Sequence, residues 1–472
     1  MSAPDIDQKV LDKFTALGGN TRLTFVLGAG ASVPSGLPTW NELARRLIRS
    51  TGLAQTDGAA SALISKDQDP TIALEAAHAL AGDDWARLLD EALYSGLPAA
   101  GALPSPLHLA AAGHWAAAPD RTRLATLNFD TLLEDALLAT PVTQVVVGAD
   151  GEEVDDMVTV HHLHGAVFNG KAYDPIVGYR DFTRLIADPE PWQRAFLAEA
   201  LRGGPLLLAG TSYRDPDIRH WLDGILHDRV HKPRFPALVT IVREDLGLDR
   251  QTFSEIDDAL EAEWRAIGLD VVTVQDFVDV AVVIRELHHV GRSGYCTPSE
   301  RAREVWTAHR LQMTELQHSY AESLRGDATA LADAIGAPVV RPTLWLANAR
   351  GRLARWASDG VRYQGVGQLK LVPTGHDSPL IAGEAIGSEE VKLKDVPRDE
   401  RVLPTWRSVL AIPIFVSDGV HPDFATAVLT FGLSRTESTL MAREHGWREV
   451  AATLSKAWGT RLSEVAFSST NN

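Results

Sequence analysis

The chain has 472 residues, 45% apolar and 23% charged, and its 45 basic and 62 acidic side chains give a net charge of −17. That length exceeds one ordinary core and predicts two or three domains, while the acidic balance argues against broad contact with nucleic acid or an anionic membrane. A single cysteine, Cys296, excludes a disulfide framework and any cysteine-based zinc site within one chain, and the lack of a signal-like or bilayer-length apolar run sets the expectation of a cytoplasmic protein.

In chain order, Val10, Leu11, Phe14 and Leu17 recur at helical spacing and predict a short helix ending at Gly18-Gly19. Leu23–Leu27 is an apolar run carrying the strand-formers Thr24, Phe25 and Val26. It stops at Gly28-Ala29-Gly30-Ala31-Ser32, and the amphipathic stretch Trp40–Ile48 begins soon after. A buried strand, a small-residue turn and a helix are how doubly wound folds hold a diphosphate. Glycine admits the backbone, and N–H groups near the helix start take the negative charge. The G-x-G-x-S pattern lacks the third glycine of the dinucleotide fingerprint, so alone it equally fits an ordinary strand–turn–helix corner.

From Ser50 to Pro119 the text is rich in alanine and leucine at helical spacing, as in Ile72–Leu80 and Trp85–Leu93. This predicts a helical insertion between two strands of one sheet, either covering a ligand or simply packing. Strand patterns resume at Arg123–Leu127, which runs into Asn128-Phe129-Asp130, and a helix is predicted over Thr131–Leu138. Gln144–Val147 and Val158–Leu163 are β-rich, the second ending in His164-Gly165. Pro205–Ala209 ends in Gly210-Thr211-Ser212 and precedes a helix over Asp215–His227. Ala237–Val242 and Val271–Val274 complete the series, with a helix around Phe253–Ile267 between them. Strands alternating with helices predict a parallel sheet covered on both faces. Gly28, Asn128, His164 and Gly210 stand at strand ends, and open α/β sheets bind ligands outside the carboxyl ends of their strands.

The motifs G-A-G-A-S (28–32), T-L-N-F-D (126–130), H-L-H-G (162–165) and G-T-S (210–212), in this order, resemble the sirtuin superfamily. The stretches S-G-L-P-T-W, L-N-F-D-T-L-L-E and G-T-S-Y-R-D-P-D-I are most similar to its bacterial, zinc-less NAD-hydrolase branch of antiviral type. The resemblance implies that Gly28, Ala29, Gly30 and Ser32 hold the NAD diphosphate and that Gly210, Thr211 and Ser212 line its diphosphate and adenosine side. It implies further that Asn128 contacts the nicotinamide ribose or the attacking water, Asp130 the carboxamide, and His164 a ribose hydroxyl. Leu127 stands where deacetylases of the superfamily usually carry Gln, which removes a polar ribose contact. The four-cysteine zinc module of those deacetylases is impossible here, which shifts the expected chemistry from protein deacylation to NAD hydrolysis.

The chemistry is sound in itself. Breaking the nicotinamide–ribose bond develops oxocarbenium character at C1′, and a site needs fixed ribose hydroxyls, a positioned nucleophile and a proton acceptor. Each residue also has a plainer reading. Asn128 and Asp130 suit the capping of the helix that follows, and His164 suits a satisfied loop histidine. His161, His162 and His164 invite a metal. Strand geometry, however, puts His161 and His162 on opposite faces and leaves two imidazoles without a carboxylate or thiolate, so no metal is expected.

Gly291–Pro298 reads as a linker and Ser299–Leu324 as a long helix suited to a connection or an oligomer contact. Beyond Gly336 the pattern is mostly β: Leu344–Leu346 and Leu353–Trp356 flank an Asn348–Gly351 turn, followed by Gln368–Val372, Val409–Phe415 and Ala427–Phe431. A closing helix spans Ser438–Leu462. Leu344–Trp356, Ala382–Ile386 and Trp406–Ile414 resemble, more loosely, a GAF-type sensor. Trp345, Trp356 and Trp406 are expected as core or interface aromatics.

The expected architecture is thus α/β: a Rossmann-like doubly wound parallel sheet with a helical insertion over residues 1–290, a connection over 291–325, and a smaller α+β, GAF-like domain over 326–472. The expected function is an NAD glycohydrolase with NAD as substrate, releasing nicotinamide and ADP-ribose in antiviral defence. It is expected to be triggered through the second domain by a small-molecule signal or protein partner and to form a homo-oligomer, without membrane or nucleic-acid contact. The alternatives are an NAD-dependent protein deacylase or ADP-ribosyltransferase, and a non-catalytic NAD or ADP-ribose sensor.

Overall fold

The computed structural model describes residues 6–17, 21–65, 69–97, 101–142, 144–211, 216–228, 233–348, 350–396, 406–441 and 444–467. Gly18, Gly19, Ser212, Asp215 and Ala349, each part of a sequence expectation, lie outside the described residues. The chain divides into two compact units, one spanning Lys9–Val290 and one made of Gly291–Asn472 with Met1–Gln8.

In the first unit α1 (Gln8–Leu17) leads to β1 (Leu23–Leu27). Then α2 (Trp40–Ser50), α3 (Asp57–Ser65), α4 (Pro70–Ala81), α5 (Trp85–Tyr94) and α6 (Pro106–Ala117) precede β2 (Thr122–Thr126). Next come α7 (Leu132–Leu138), β3 (Val145–Gly148), β4 (Val158–His162), β5 (Ala166–Phe168), β6 (Lys171–Tyr173), α8 (Tyr179–Ala187) and α9 (Trp192–Gly203). The unit closes with β7 (Leu206–Ala209), α10 (Pro216–Leu226), β8 (Ala237–Val242), α11 (Arg243–Leu246), α12 (Arg250–Ala266), β9 (Asp270–Val274) and α13 (Phe277–Glu286).

Seven strands form one sheet in the order β3-β4-β2-β1-β7-β8-β9, parallel at every junction. This is the doubly wound sheet expected from the strand–helix alternation. Its central strands are apolar on both faces, as strands covered twice must be. Val26, Leu206 and Leu208 face Leu197, Trp221, Leu222 and Phe253 of α9, α10 and α12. On the opposite face Phe25 lies edge-on to His114 of α6, with 5.0 Å between ring centroids. Each such buried side chain contributes about 1.5–3 kcal/mol, so the β1 apolar run is worth several ordinary surface contacts.

The winding reverses between β1 and β7. From β1 the chain moves one way, to β2 and its neighbours, and the later strands add on the other side. Their carboxyl ends bound the crevice that such a switch leaves open.

The stretch between β1 and β2 is helical, as its composition indicates. Leu43, Leu47, Leu74, Leu89 and Leu93 of α2, α4 and α5 build a core with Phe129, Leu132, Val167 and Val177. The insertion therefore packs on the residue between Asn128 and Asp130 and on the β5–β6 hairpin. That hairpin, with α8 and α9, is absent from the sequence reading. Asn169 and Gly170, both at positive φ, make the Asn-Gly turn that should have signalled it.

In the second unit α14 (Pro298–Leu311) and α15 (Met313–Ile335) precede β10 (Val339–Ala347), β11 (Arg352–Ser358), β12 (Leu371–Pro373), α16 (Ile381–Ser388), β13 (Lys392–Asp395), β14 (Ser408–Val416), β15 (Phe424–Leu433), α17 (Glu437–Met441) and α18 (Glu444–Phe467). The single long helix expected over Ser299–Leu324 is two, broken at Gln312, where the first helix is closed by a bond to His309 O and the second begins. The sheet is antiparallel, in the order β12-β11-β10-β15-β14-β13, and β10 and β11 pair as the expected hairpin through Ala347 and Leu353.

One sheet face packs against α14, α15 and α18 through Val305, Tyr320, Leu324, Trp447 and Trp458. The other takes Ala382, Ala385 and Ile386 of α16 against Trp345 and Val428. Trp345 and Trp356 are buried in these cores, whereas Trp406 is half-buried beneath the Arg341 guanidinium. Gly459 lets α18 approach β14, since a Cβ there would lie 2.2 Å from Phe415 O. Among the described residues, no helix is long and apolar enough to cross a membrane.

Candidate functional site

Four strand ends meet at the carboxyl edge of the first sheet, and their extensions stay hydrogen-bonded past the regular ladders. Gly28 N donates to Ala209 O (2.9 Å), Leu127 N to Leu27 O (2.8 Å), Leu163 N to Thr126 O (2.9 Å) and Val167 N to Phe129 O (2.7 Å). This register carries Gly28–Ser32, Asn128–Asp130, His164 and Gly210–Thr211 to one edge.

The glycines are required by close approach. A Cβ on Gly28 would come within 2.7 Å of Gly210 O and of Thr211 Cβ, and one on Gly30 within 2.9 Å of Gly210 O. Gly30 N donates to Gly210 O (2.7 Å), so the turns after β1 and β7 clasp one another. Ala31 N and Ser32 N donate to Gly28 O and Ala29 O, closing the turn into 3₁₀ geometry. With Gly28 N and Gly30 N also engaged, four of the turn's five N–H groups donate within the protein, and the Ala29 N–H is the fifth.

Asn128 is buried and acts as a clamp. Its Nδ2 donates to Gly28 O (3.0 Å) and to Ser32 Oγ (2.9 Å), and its own N–H is held by Thr126 Oγ1 (3.0 Å). The nearby Ser32 hydroxyl favours the charged form of Asp130. Asp130 Oδ1 accepts from Leu132 N (3.1 Å) at the first residue of α7, although the N-cap position is Thr131, and the Asn128 side chain is turned to the glycine turn and Ser32. Burial raises the pKa of Asp130 above the ordinary carboxylate value, and the Ser32 hydroxyl and the Leu132 N–H only partly oppose that.

His162 and His164, which a continued strand would place on one face, have different partners. β4 ends at His162, and His164 follows in a turn. His162 is fully buried. Its Nδ1 donates to Asn128 O (2.9 Å) and its Nε2 meets Glu134 Oε1 at 2.7 Å. Burial disfavours its charge, but Glu134 and the Asn128 carbonyl outweigh burial and raise its pKa above 6.5. With two acceptors on its two nitrogens, the imidazolium fits the site and both ring nitrogens are spent. His161 faces the other way, 4.6 Å from the Phe196 ring, and burial lowers its pKa to about 4.

His164 Nε2 lies 2.8 Å from Asp217 Oδ2, and both side chains are buried. The Phe182 ring of α8 stands edge-on to the imidazole at 5.8 Å, and Trp40 stands edge-on to Phe182 at 6.4 Å. Gly165 sits at φ 79°, where a Cβ would lie 2.3 Å from Asp174 O, so the turn that aims His164 requires glycine.

The structure thus brings Gly28, Ala29, Gly30, Ser32, Asn128, Asp130, His164, Gly210 and Thr211 to one edge, while Ser212 is outside the described residues. Sequence reasoning missed Glu134, His162 as a partner of Asn128, Phe182 and Asp217. Glu134 had a signal, an acid embedded among Leu132, Leu133, Ala136 and Leu137 of one short helix. Asp217 follows Pro216 at a helix start, where an acid reads as an ordinary first-turn residue and hides its partner.

No curated protein matches the chain. Solved structures similar to it include a mutant Sir2 homologue bound to ADP-ribose, with 16% identity and a TM-score of 0.33, covering 60% of this chain and 96% of that one. A Sir2 homologue–NAD complex shows 14% identity and a TM-score of 0.31, covering 62% and 98%. The stretch from β2 into β9, residues 122–272, which bears Asn128, Asp130, His164, Gly210 and Asp217, matches the family model of the SIR2-like domain.

Proposed function

We propose that the first unit is an NAD glycohydrolase that cleaves the nicotinamide–ribose bond and gives nicotinamide and ADP-ribose. The observation that carries this reading is the convergence of a buried Asn128, clamped to the Gly28–Ser32 turn, with a carboxylate-paired His164 at the crevice where the winding reverses. The match of residues 122–272 to the SIR2-like domain supports an NAD-related activity.

In this reading the diphosphate lies against the clasped turns of Gly28–Ser32 and Gly210–Thr211. Within the Gly28–Ser32 turn, Ala29 N–H is the backbone donor not taken up among the described residues. Gly28 and Gly30 serve by close approach, and Ser32 serves by accepting from Asn128 beside the Asp130 carboxyl. Asn128 positions the ribose or the attacking water, Asp130 recognises the carboxamide, and His164 accepts the proton. Water adds its oxygen to C1′, the bond from C1′ to the nicotinamide nitrogen breaks with its electron pair leaving on that nitrogen, and the water proton passes to His164. Stabilising an oxocarbenium-like state beside buried, oriented groups is electrostatic work suited to this edge.

The second unit, an antiparallel sheet with helices on both faces, is proposed to be a GAF-type sensor that controls activation by binding a signal or by oligomerisation. The proposed setting is antiviral defence, in which triggered NAD loss halts the infected cell.

The test is nicotinamide release from NAD by wild type, Asn128→Ala and His164→Ala, with and without infection-derived triggers. Turnover by wild type alone supports the reading. Release that depends on an acetyl-lysine peptide would replace it with deacylation, and NAD binding without release under every trigger would replace it with a sensor.

A further inference from the structure

We propose that Asp217 is a positioning residue for His164, fixing the imidazole tautomer and orientation so that the two act as a carboxylate–imidazole dyad. The inference rests on the reading of His164 as the proton acceptor in NAD cleavage. The two residues come from separate elements: His164 follows β4, and Asp217 lies in the first turn of α10, 53 residues later. The Nε2–Oδ2 separation is 2.8 Å, and the side chains are 5% and 0% exposed.

A carboxylate only accepts, so the shared proton resides on Nε2. Burial alone would favour a neutral Asp217, yet the His164 charge and hydrogen bond hold its pKa below the ordinary carboxylate value. The carboxylate therefore stays ionised near neutral pH and stabilises the imidazolium that forms when His164 takes the water proton. An acid needed only for the α10 terminus has no use for an imidazole from another strand end. The edge-on Phe182 ring further limits rotation of the imidazole.

The experiment combines nitrogen-15 spectra of the histidine-labelled full chain with steady-state nicotinamide release, for wild type, Asp217→Asn and Asp217→Glu, using His164→Gln for assignment. Wild-type His164 is expected as the Nε2–H tautomer. Asp217→Asn should lose that signature and lower kcat by about 10- to 100-fold with KM for NAD nearly unchanged, and Asp217→Glu should recover part of kcat.

A wild-type Nδ1–H tautomer overturns the dyad whatever the variants do, including a variant that fails to fold. Unchanged kcat in a folded Asp217→Asn protein also overturns it. If wild type shows the Nε2–H tautomer, lost in Asp217→Asn, but releases no nicotinamide under any trigger, the dyad stands and the NAD-cleavage reading falls.

Discussion

Glu134 and His162 form an ion pair 2.7 Å long behind the candidate site, and the second imidazole nitrogen holds the carbonyl of Asn128 at 2.9 Å. Both side chains are buried, so the strength of the pair passes into the position of Asn128. Three elements are tied by one imidazole: α7 through Glu134, the β2 extension through Asn128, and β4 through His162 itself.

This pair makes stability pH-dependent. The folded pKa of His162 is raised above 6.5, so its contribution is complete below about that pH and is lost as pH climbs through the folded value. The gap in urea midpoint between wild type and a variant lacking the pair should therefore narrow as pH rises above 6.5. Glu134→Gln should cost about 3 kcal/mol at acidic-to-neutral pH and converge on wild type at higher pH. Parallel curves at all pH values would remove the pair from this role.

Asn128→Asp is nearly isosteric and should still fail. It replaces the Nδ2 donor to Gly28 O and Ser32 Oγ with an acceptor, leaving a carboxylate facing a carbonyl. We expect a loss of about 2–3 kcal/mol in urea denaturation and no detectable nicotinamide release. Wild-type stability in this variant would show that the clamp does not form.

Two glycines at positive φ separate strain from collision. Gly170→Ala has open space around it and should cost only the left-handed penalty of about 1–2 kcal/mol. Gly165→Ala adds a Cβ 2.3 Å from Asp174 O and should cost clearly more while displacing His164. Chemical denaturation of the two variants side by side, with nicotinamide release as a second readout, checks the difference.

A matched pair tests the second unit. Gly326 lies inside α15 with open space where a Cβ would sit, so Gly326→Ala should stabilise by about 1 kcal/mol. Gly459→Ala places a Cβ 2.2 Å from Phe415 O and should push α18 off β14, lowering the thermal midpoint of that unit. Calorimetry resolves this if the transition of the first unit stays in place.

The sheet was legible because its strands are short apolar runs ending in small or polar residues, and β1 and β8 match the sequence reading residue for residue. The site was legible where a motif marked a strand end, as at Gly28, Asn128 and His164. It was not legible where a residue's partner lies far along the chain: nothing local to Asp217 announces His164, and nothing local to His162 announces Glu134. The β5–β6 hairpin escaped because its strands have only three residues each, too short for periodicity, although Asn169-Gly170 carried the turn signal. The break between α14 and α15 lacks glycine or proline at Gln312, so helical spacing ran through it unmarked.

The clasp between the turns after β1 and β7 has a consequence for biosynthesis. Gly30 emerges from the ribosome early, but its acceptor at Gly210 follows only after the helical insertion, both central crossovers and the β5–β6 hairpin. Non-local pairings of this kind form late and slowly. A nascent or truncated chain therefore cannot close this clasp, and the cleavage proposed above cannot begin, until the chain beyond Gly210 has been made.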